Sequence, residues 1–212
     1  KIRARLVIAA DGHASFVRQN AKISVITKRF DQKALAFSVT HPIPHKNVST
    51  EIHRNGGPFT LVPLPDREGS PASAIVWMET CKRATQLMQI DLESFHEEMN
   101  ARSCGILGPL SLATKRSVWP IISQVSNRLS AQRIALVAEA AHVVPPIGAQ
   151  GLNMSLEDIR TIVELATKAE DIGSASVLDS YHKARINDVR LRVGGISLLN
   201  HMSSAQSPIF QD

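Results

Sequence analysis

The chain has 212 residues, of which 43% are hydrophobic and 20% charged, and its formal net charge is +5. This composition is typical of a folded globular protein, and no apolar run approaches the roughly 20 residues that a membrane-spanning helix needs. Basic residues are scattered and aromatic residues make up only 4%, which argues against a nucleic-acid-binding protein. The two cysteines lack metal-ligand spacing, which indicates reduced thiols, a cytoplasmic protein and no metal site.

Strand-like segments dominate the first two thirds of the chain. The segment 5–10, which is apolar from Leu6 onward, predicts a buried parallel strand that ends at the turn signal Asp11-Gly12. Further strands are predicted over 33–41, 59–64, 74–78, 117–125 and 133–138, with a turn over 65–71 and an interruption at Pro120.

Helical spacing appears in three places. Asp91 is a predicted N-cap for a helix that reaches about residue 100, with Leu92, Phe95 and Met99 on one face. Farther along, apolar residues recur at spacings of three and four and line one face of a second helix: Leu152, Leu156, Ile159, Val163 and Ala166.

A last helix is predicted from about Ser176 towards Met202, with Val177, Tyr181 and Ala184 on one side. Its basic residues allow either a membrane-surface helix or a solvated outer face. Two acidic residues, Asp179 and Asp188, interrupt the positive stripe and favour the solvated face.

The segment DGHASFVR at 11–18 is the first candidate for chemistry. Asp11 follows a predicted strand and can accept hydrogen bonds from backbone N–H groups or from Arg18. Gly12 permits a tight turn and close backbone approach, and Ser15 can cap a following turn. The alternative is a plain strand–turn–helix with a structural Asp–Arg pair.

The second candidate is RIALVAEAAHVVPPIGAQGLN at 133–153. The Pro-Pro pair at 145–146 stiffens the approach to a helix, and Gly148 and Gly151 remove side chains where a cofactor can lie on the backbone. The helix N-terminus offers free N–H groups to an anion, and Asn153 adds an amide. The alternative is a rigid entry loop to a packed helix.

Together these two motifs resemble the FAD fingerprints of the single-component aromatic hydroxylases, a class of FAD-dependent monooxygenases. The segment 11–18 resembles the second fingerprint, in which Ser and Arg follow Asp-Gly. The second candidate resembles the third fingerprint, in which a Gly-Asp pair precedes Ala-Ala-His, a Pro-Pro loop and a Gly-rich helix entry. Within this class the chain is most similar to the ubiquinone-biosynthesis hydroxylases, through segments at 56–65, 145–153 and 180–185.

The resemblance covers about residues 1–207 and implies which residues bind FAD. They are Asp11, Gly12, Ser15 and Arg18 in the FAD-binding core, Glu139 at a ribose hydroxyl, Pro145 and Pro146 beside the isoalloxazine ring, and Gly148, Gly151, Leu152 and Asn153 at the helix entry that faces the flavin. No catalytic side chain is implied, and His142 is expected to be a structural hydrogen-bonding residue rather than a base.

The implied chemistry belongs to the flavin. NAD(P)H reduces FAD, oxygen forms a C4a-hydroperoxide, and its distal oxygen is transferred to the aromatic ring of a polyprenylated phenol. The implied partners are this small-molecule substrate and a ubiquinone-biosynthesis complex, with peripheral contact to the inner membrane left open. No nucleic-acid partner is expected.

The chain departs from the family pattern at two points. It contains no GxGxxG, the first fingerprint, which cradles the FAD diphosphate. We therefore expect these residues to be part of a longer protein and to bind FAD poorly and be inactive alone. The Gly-Asp pair is replaced by Ala138-Glu139, whose longer carboxylate side chain can still bind a ribose.

The expected fold is α/β with α+β character: a partial FAD-binding nucleotide-fold domain, an inserted, mainly antiparallel substrate sheet, and C-terminal helices. The expected boundaries are 1–30 and 127–170 for the FAD-binding part, 31–126 for the substrate sheet with one helix, and 171–212 for the C-terminal helix. Two other functions remain open, a hydroxylase of a soluble aromatic compound and a flavin-free accessory or scaffold protein.

Overall fold

The computed structural model describes residues 3–54 and 56–204, which form ten strands and five α-helices. The strands are β1 (Val7–Ala9), β2 (Val25–Thr40), β3 (Thr50–Arg54), β4 (Gly57–Arg67), β5 (Ser70–Thr80), β6 (Ser111–Leu112), β7 (Ser117–Ser126), β8 (Ser130–Ala131), β9 (Ile134–Leu136) and β10 (His142–Val143). The helices are α1 (Phe16–Asn20), α2 (Cys81–Gln89), α3 (Leu92–Ser103), α4 (Gln150–Ala166) and α5 (Ala175–Ser204).

The chain divides into two compact units. Of the residues that the structure describes, the first unit contains 3–29 and 122–200, and the second contains 30–54, 56–121 and 201–204. The elements confirm the predicted fold class, because a largely antiparallel sheet lies between two segments of mixed α/β structure and helices end the described chain.

A three-stranded sheet in the order β1-β9-β8 lies in the first unit. Strands β1 and β9 are parallel, with Val7 opposite Ile134 and Ala9 opposite Leu136. Helix α5 packs against this sheet through buried Tyr181, whose hydroxyl donates to the Leu136 carbonyl at 2.7 Å. Because parallel strands end at the same edge of a sheet, the turn that follows β1 and the turn that follows β9, one from each candidate motif, begin side by side.

An antiparallel sheet in the order β2-β5-β4-β3 forms the second unit, with β6 paired to β2. Trp77 of β5 lies opposite Phe59 of β4, with their rings edge to face. Helices α2 and α3 cover the face that carries these rings, and Phe95 and Met99 of α3 are fully buried against it. Side chains alternate along strands, so the opposite face carries the intervening residues.

Several strands are longer than predicted. Strand β2 begins at residue 25, and β7 continues through Pro120, which is exposed, where a strand tolerates proline. The turn predicted over 65–71 is reduced to Glu68 and Gly69, both with positive φ. Strand β3 and helix α2 were not predicted, although Thr80 caps α2 by accepting from the N–H of Arg83.

The predicted burial of the first strand is wrong. Val7 and Ile8 of β1 are 40% and 50% exposed, and only Ala9 is buried. The reason is that β1 stands at the edge of its three-stranded sheet. An apolar run of this kind is typical of a strand that is buried on both faces of its sheet. In the part of the chain that the structure describes, no element covers Val7 and Ile8 completely.

The predicted apolar residues of α4 do share one face, but this face is exposed. Leu152, Leu156, Ile159 and Val163 are each 46% to 69% exposed. The buried residues of α4 are instead Met154, Asp158 and Ile162. Helical periodicity therefore located the helix correctly but did not show which face packs inward.

Helix α3 confirms its predicted cap, because Asp91 Oδ1 accepts from the N–H of Ser94 at 2.9 Å. In α5, Val177 and Tyr181 are buried, whereas Ala184 is exposed. Residues 1–2 and 205–212 of the predicted outer segments lie outside the described residues. Of the helices that the structure describes, none has the length and apolarity to span a membrane.

Candidate functional site

The first motif forms a hydrogen-bonded turn after β1. Asp11 Oδ1 accepts from Ser15 Oγ at 2.5 Å, and its Oδ2 accepts from the N–H of Val17 at 3.1 Å. The Ser15 hydrogen bond is the main cause that lowers the pKa of Asp11; burial opposes it, and the hydrogen bond from the N–H of Val17 adds to the lowering. Gly12 has φ +82°, the left-handed region that glycine adopts readily. The turn therefore keeps Asp11 ionised and its backbone tightly folded.

Arg18 links this turn to the second motif. Its guanidinium donates to the carbonyl of His13 at 2.6 Å and to the carbonyl of Ala140 at 2.9 Å. The side chain is only 4% exposed, and burial lowers the pKa of Arg18 while nearby Asp11 opposes the change. Ser126 Oγ also donates to the Ala140 carbonyl. The two motifs are thus joined by a buried, charged hydrogen bond rather than by sequence proximity.

The turn after β9 carries the candidate ribose-binding residue. Ala138 has φ +54°, in the left-handed region that disfavours a residue with a Cβ atom. Glu139 follows it on a short 3₁₀ turn and is exposed. No described residue forms an ion pair with Glu139, so its carboxylate is available to a ligand hydroxyl.

The proline loop leads directly into α4. Pro145 is buried and Pro146 is exposed, so the two prolines lie in different environments. Gly148 has φ +62° in the 3₁₀ turn that follows, and Ala149, the N-cap of α4, has φ +51° and a side chain that cannot cap. A Cβ atom at Gly151 would meet only Val144 Cγ2, at 3.8 Å.

This entry presents backbone N–H groups without a capping side chain. Leu152 and Asn153, in the first turn of α4, are both exposed. The first N–H groups of a helix lack intrahelical partners and lie at the positive end of its dipole. The helix entry therefore suits a ligand that carries negative charge and hydrogen-bond acceptors.

Sequence reasoning missed a buried network beneath the site. His142 Nε2 lies 2.7 Å from Asp158 Oδ2, and both side chains are at most 1% exposed. Arg185 of α5 donates through Nε to Asp158 Oδ1 at 2.9 Å. This contact gives His142 the structural role expected for it. The sequence signal for Arg185 was the resemblance of the segment 180–185 to the hydroxylases. Asp158 was not predicted as a site residue, because it lies within a helix that was recognised only by its apolar spacing.

The residues present fit part of an FAD molecule. Glu139, which forms no ion pair with any residue that the structure describes, offers a carboxylate for a hydroxyl, and Gly151 has no side chain to block a ring from the backbone. The uncapped start of α4 offers N–H donors. The sequence of 212 residues offers no GxGxxG loop for the diphosphate. The site thus fits the ribose and flavin portions of the cofactor.

Comparison with known proteins places the chain in a family. Residues 1–192 match the model of the FAD binding domain family. The ubiquinone hydroxylase UbiL of Rhodospirillum rubrum is 32% identical over 191 residues, which cover 88% of this chain and 44% of UbiL. The 3-demethoxyubiquinol 3-hydroxylase of Escherichia coli is 27% identical over 201 residues, which cover 93% of this chain and 50% of that enzyme. The chain spans about half the length of these relatives.

Solved structures agree on the fold. The crystal structure of PqsL, a probable FAD-dependent monooxygenase from Pseudomonas aeruginosa, has a TM-score of 0.75 at 21% identity, over 95% of this chain and 57% of PqsL. The family match covers both motifs that Arg18 joins, and the relatives named above act in ubiquinone chemistry by name. The chain therefore belongs to the FAD binding domain family, among relatives that are ubiquinone-biosynthesis hydroxylases.

Proposed function

We propose that this protein is an FAD-dependent monooxygenase that hydroxylates the aromatic ring of a polyprenylated phenol in ubiquinone biosynthesis, with NAD(P)H as reductant. One observation carries the proposal: buried Arg18 hydrogen-bonds to the Ala140 carbonyl and so joins the second fingerprint to the third. The family match supports FAD as cofactor, and the names of the relatives support a ubiquinone precursor as substrate.

Each part of the site has a role in this proposal. The Glu139 carboxylate accepts a hydrogen bond from a ribose hydroxyl of FAD, and Asp11, Gly12, Ser15 and Arg18 hold the adjoining backbone. At the start of α4, Gly151 and Leu152 donate N–H groups to the pyrimidine edge of the flavin and stabilise negative charge there, and Asn153 adds its side-chain amide. Pro145, Pro146 and Gly148 shape the approach to the ring. FAD, when bound, supplies the electrons of NAD(P)H and activates oxygen.

The overall reaction balances as a monooxygenation. One oxygen atom of O₂ enters the ring as a hydroxyl group. The other leaves as water, with two electrons and one proton from NAD(P)H, which becomes NAD(P)⁺, and one further proton from solvent. The protein orients the ring and excludes water from the site. We assign FAD binding to the first unit and substrate binding to the second.

The face of the second unit's sheet that lies opposite α2 and α3 is compatible with a flat, apolar substrate. On the sheet face opposite α2 and α3, Ala36 of β2 pairs with Val76 of β5, and Ser38 pairs with Ala74. These side chains are small and half-buried, so the face is smooth and can accept a ring and its hydrocarbon tail. A soluble aromatic acid is the competing substrate class, because a small-residue face accepts any flat ring.

The test is a visible spectrum and an oxygen-uptake assay on the protein expressed from its own gene. We expect flavin absorption bands and NAD(P)H-dependent oxygen uptake that a prenylated phenol stimulates more than 4-hydroxybenzoate. Greater stimulation by 4-hydroxybenzoate would favour the soluble-substrate reading. A colourless protein that FAD does not reconstitute would overturn the enzyme assignment.

A flavin-free scaffold is the second candidate, favoured by one specific observation. Ala138 adopts a left-handed conformation that its Cβ atom makes unfavourable, at the position where the family has glycine. The double variant Ala138→Gly with Glu139→Asp restores the family pair. Equal or tighter FAD binding supports a working site, whereas a large loss of affinity contradicts the role given to Glu139.

A further inference from the structure

Asp158 is a fully buried carboxylate at the centre of the first unit. Its Oδ2 accepts from the backbone N–H of Ala138 at 3.1 Å and lies 2.7 Å from His142 Nε2. Its Oδ1 accepts from Arg185 Nε at 2.9 Å. Both carboxylate oxygens are therefore occupied, and a carboxylate can only accept, so His142 carries its proton on Nε2.

The partners of Asp158 surround the candidate ribose-binding residue. Ala138 lies before Glu139 in the turn that follows β9, His142 lies after it at the start of β10, and Asp158 contacts both. Because Asp158 lies on α4, this contact also fixes the turn relative to the helix whose N-terminus faces the flavin in our proposal. One carboxylate thus sets the separation between the two groups that are to contact the same cofactor.

Helix α5 holds Asp158 in place through Arg185. The guanidinium of Arg185 also donates to Asp188 Oδ2 at 2.7 Å and to the Met154 carbonyl of α4 at 3.4 Å. Burial opposes the charge on Arg185, but hydrogen bonds to both aspartates outweigh it and raise the pKa of Arg185. Arg185 thus ties α5 to α4 through both the Asp158 side chain and the Met154 carbonyl.

We propose that Asp158 is a positioning residue for FAD, a role that rests on the proposed function. Stability alone does not explain a buried ion pair, because replacing both charged residues with apolar residues of similar volume often leaves a protein equally or more stable. A geometric role explains why a carboxylate is present. Ala138 is in an unfavourable conformation, and the hydrogen bond from its N–H to Asp158 holds it there. Glu139 is presented to the ligand by that conformation.

Asp158→Asn tests the role with almost no change in shape. Whichever way the amide is oriented, its NH₂ group faces a donor: either the N–H of Ala138 and Nε2–H of His142, or Nε–H of Arg185. Asp188→Asn is the matched control, because Asp188 also binds Arg185 and has no hydrogen bond to the turn. Both variants disturb Arg185, but only the first disturbs the turn.

Two measurements on the protein expressed from its own gene separate positioning from general stability. Hydrogen exchange of the cofactor-free protein reports on the Ala138 amide, and equilibrium dialysis gives the Kd for FAD, both well below each variant's Tm. We expect Asp158→Asn to speed exchange at Ala138 and to weaken FAD binding tenfold or more. Asp188→Asn is expected to change both less than twofold.

Unchanged exchange at Ala138, or equal loss of FAD affinity in both variants, would overturn the positioning role. If the unsubstituted protein does not bind FAD, both the proposed function and this role are overturned. If it binds FAD but the variants give the results just named, only the positioning role is overturned. Should Asp158→Asn not fold, His142→Gln carries the same test because it leaves the Arg185 contacts intact. The expected result is faster exchange at Ala138 and at least threefold weaker FAD binding, and unchanged values overturn the role.

Discussion

Ala138 is one of eight described residues other than glycine that have a positive φ, and it lies next to the candidate ribose-binding residue Glu139. Its left-handed conformation costs a residue with a Cβ atom about 1–2 kcal/mol. We expect Ala138→Gly to relieve this strain and to raise the free energy of unfolding by about 1 kcal/mol. For a chain of this size, thermal unfolding should then shift upward by about 2–4 °C.

Ala140→Gly is the control for this substitution. Ala140 is fully buried two residues later and does not have a positive φ. Glycine there loses a packed methyl group and gains unfolded-chain entropy, so we expect a loss of about 1–2 kcal/mol. If both variants lower the Tm, then the strain at Ala138 does not exist in the folded protein.

A buried histidine predicts acid sensitivity. His41 Nδ1 lies 2.9 Å from the Ile43 carbonyl and Nε2 lies 2.9 Å from Ser73 Oγ, and the side chain is buried. Burial is the main cause that lowers the pKa of His41, with a smaller contribution from His45, while the Ile43 carbonyl and Asp66 oppose the change. The folded state therefore prefers neutral His41.

The sign of the pH effect follows from this preference. Stability is complete above the ordinary histidine pKa of about 6.5 and falls as pH decreases below it, because the unfolded chain takes up the proton more readily. His182, whose pKa is lowered by burial and by Arg128 and Arg190, adds to the same loss. We expect chemical denaturation at pH 5.0 to give lower stability than at pH 7.5.

The test of this prediction is to measure the free energy of unfolding of the wild type and of His41→Gln at both pH values. Glutamine does not titrate, so its stability should depend less on pH over this range. An equal pH dependence in both proteins would assign the acid sensitivity to other groups.

At the scale of elements, α4 shows how far sequence patterns reach. The spacing of its apolar residues identified the helix and its start, because a period of three to four is a local property of the chain. The inward face depends on partners that are distant in sequence, such as Arg185 of α5, which binds Asp158. That pairing joins residues 27 positions apart, and no local pattern encodes it.

The two isoleucines of α4 test this reversal of faces with one chemical change. Ile162 is 1% exposed and Ile159 is 46% exposed, three residues apart on the same helix. We expect Ile162→Ala to cost about 2–4 kcal/mol, as large-to-small changes in cores do, and Ile159→Ala to cost less than about 1 kcal/mol. Denaturant unfolding measures both. Equal losses would show that the exposed face is buried in the protein that is measured.

The existence of several strands and helices could be predicted from the sequence, but the lengths of the strands could not. The short, mostly apolar segments at 59–64 and 74–78 and the Asp91 cap of α3 are local signals, and the structure contains the corresponding elements β4, β5 and α3. The lengths of the strands depend on cross-strand pairing, such as Gln32 of β2 with Thr80 of β5, which no single segment shows. Helix α2 was missed because its sequence is largely polar and its cap, Thr80, also ends a strand.

At the scale of the whole molecule, the two fingerprints were predictable, but their connection was not. Each motif has a local chemistry that sequence shows, a turn after a strand and a glycine-rich helix entry. Arg18 was assigned to the first motif, yet one of its two carbonyl partners lies 122 residues away at Ala140. The site residues themselves stay predictions until a ligand is measured.

The central claim is that this protein binds FAD through Glu139, and equilibrium dialysis with FAD tests it most directly. The comparison uses the protein expressed from its own gene, Glu139→Gln, and Glu157→Gln as a control, since Glu157 is paired with Arg160 on the surface. A hydrogen bond to a charged group contributes about 1.5–3 kcal/mol, so Glu139→Gln should weaken binding by roughly tenfold or more while Glu157→Gln binds as wild type. An unchanged Kd in Glu139→Gln would contradict the claim.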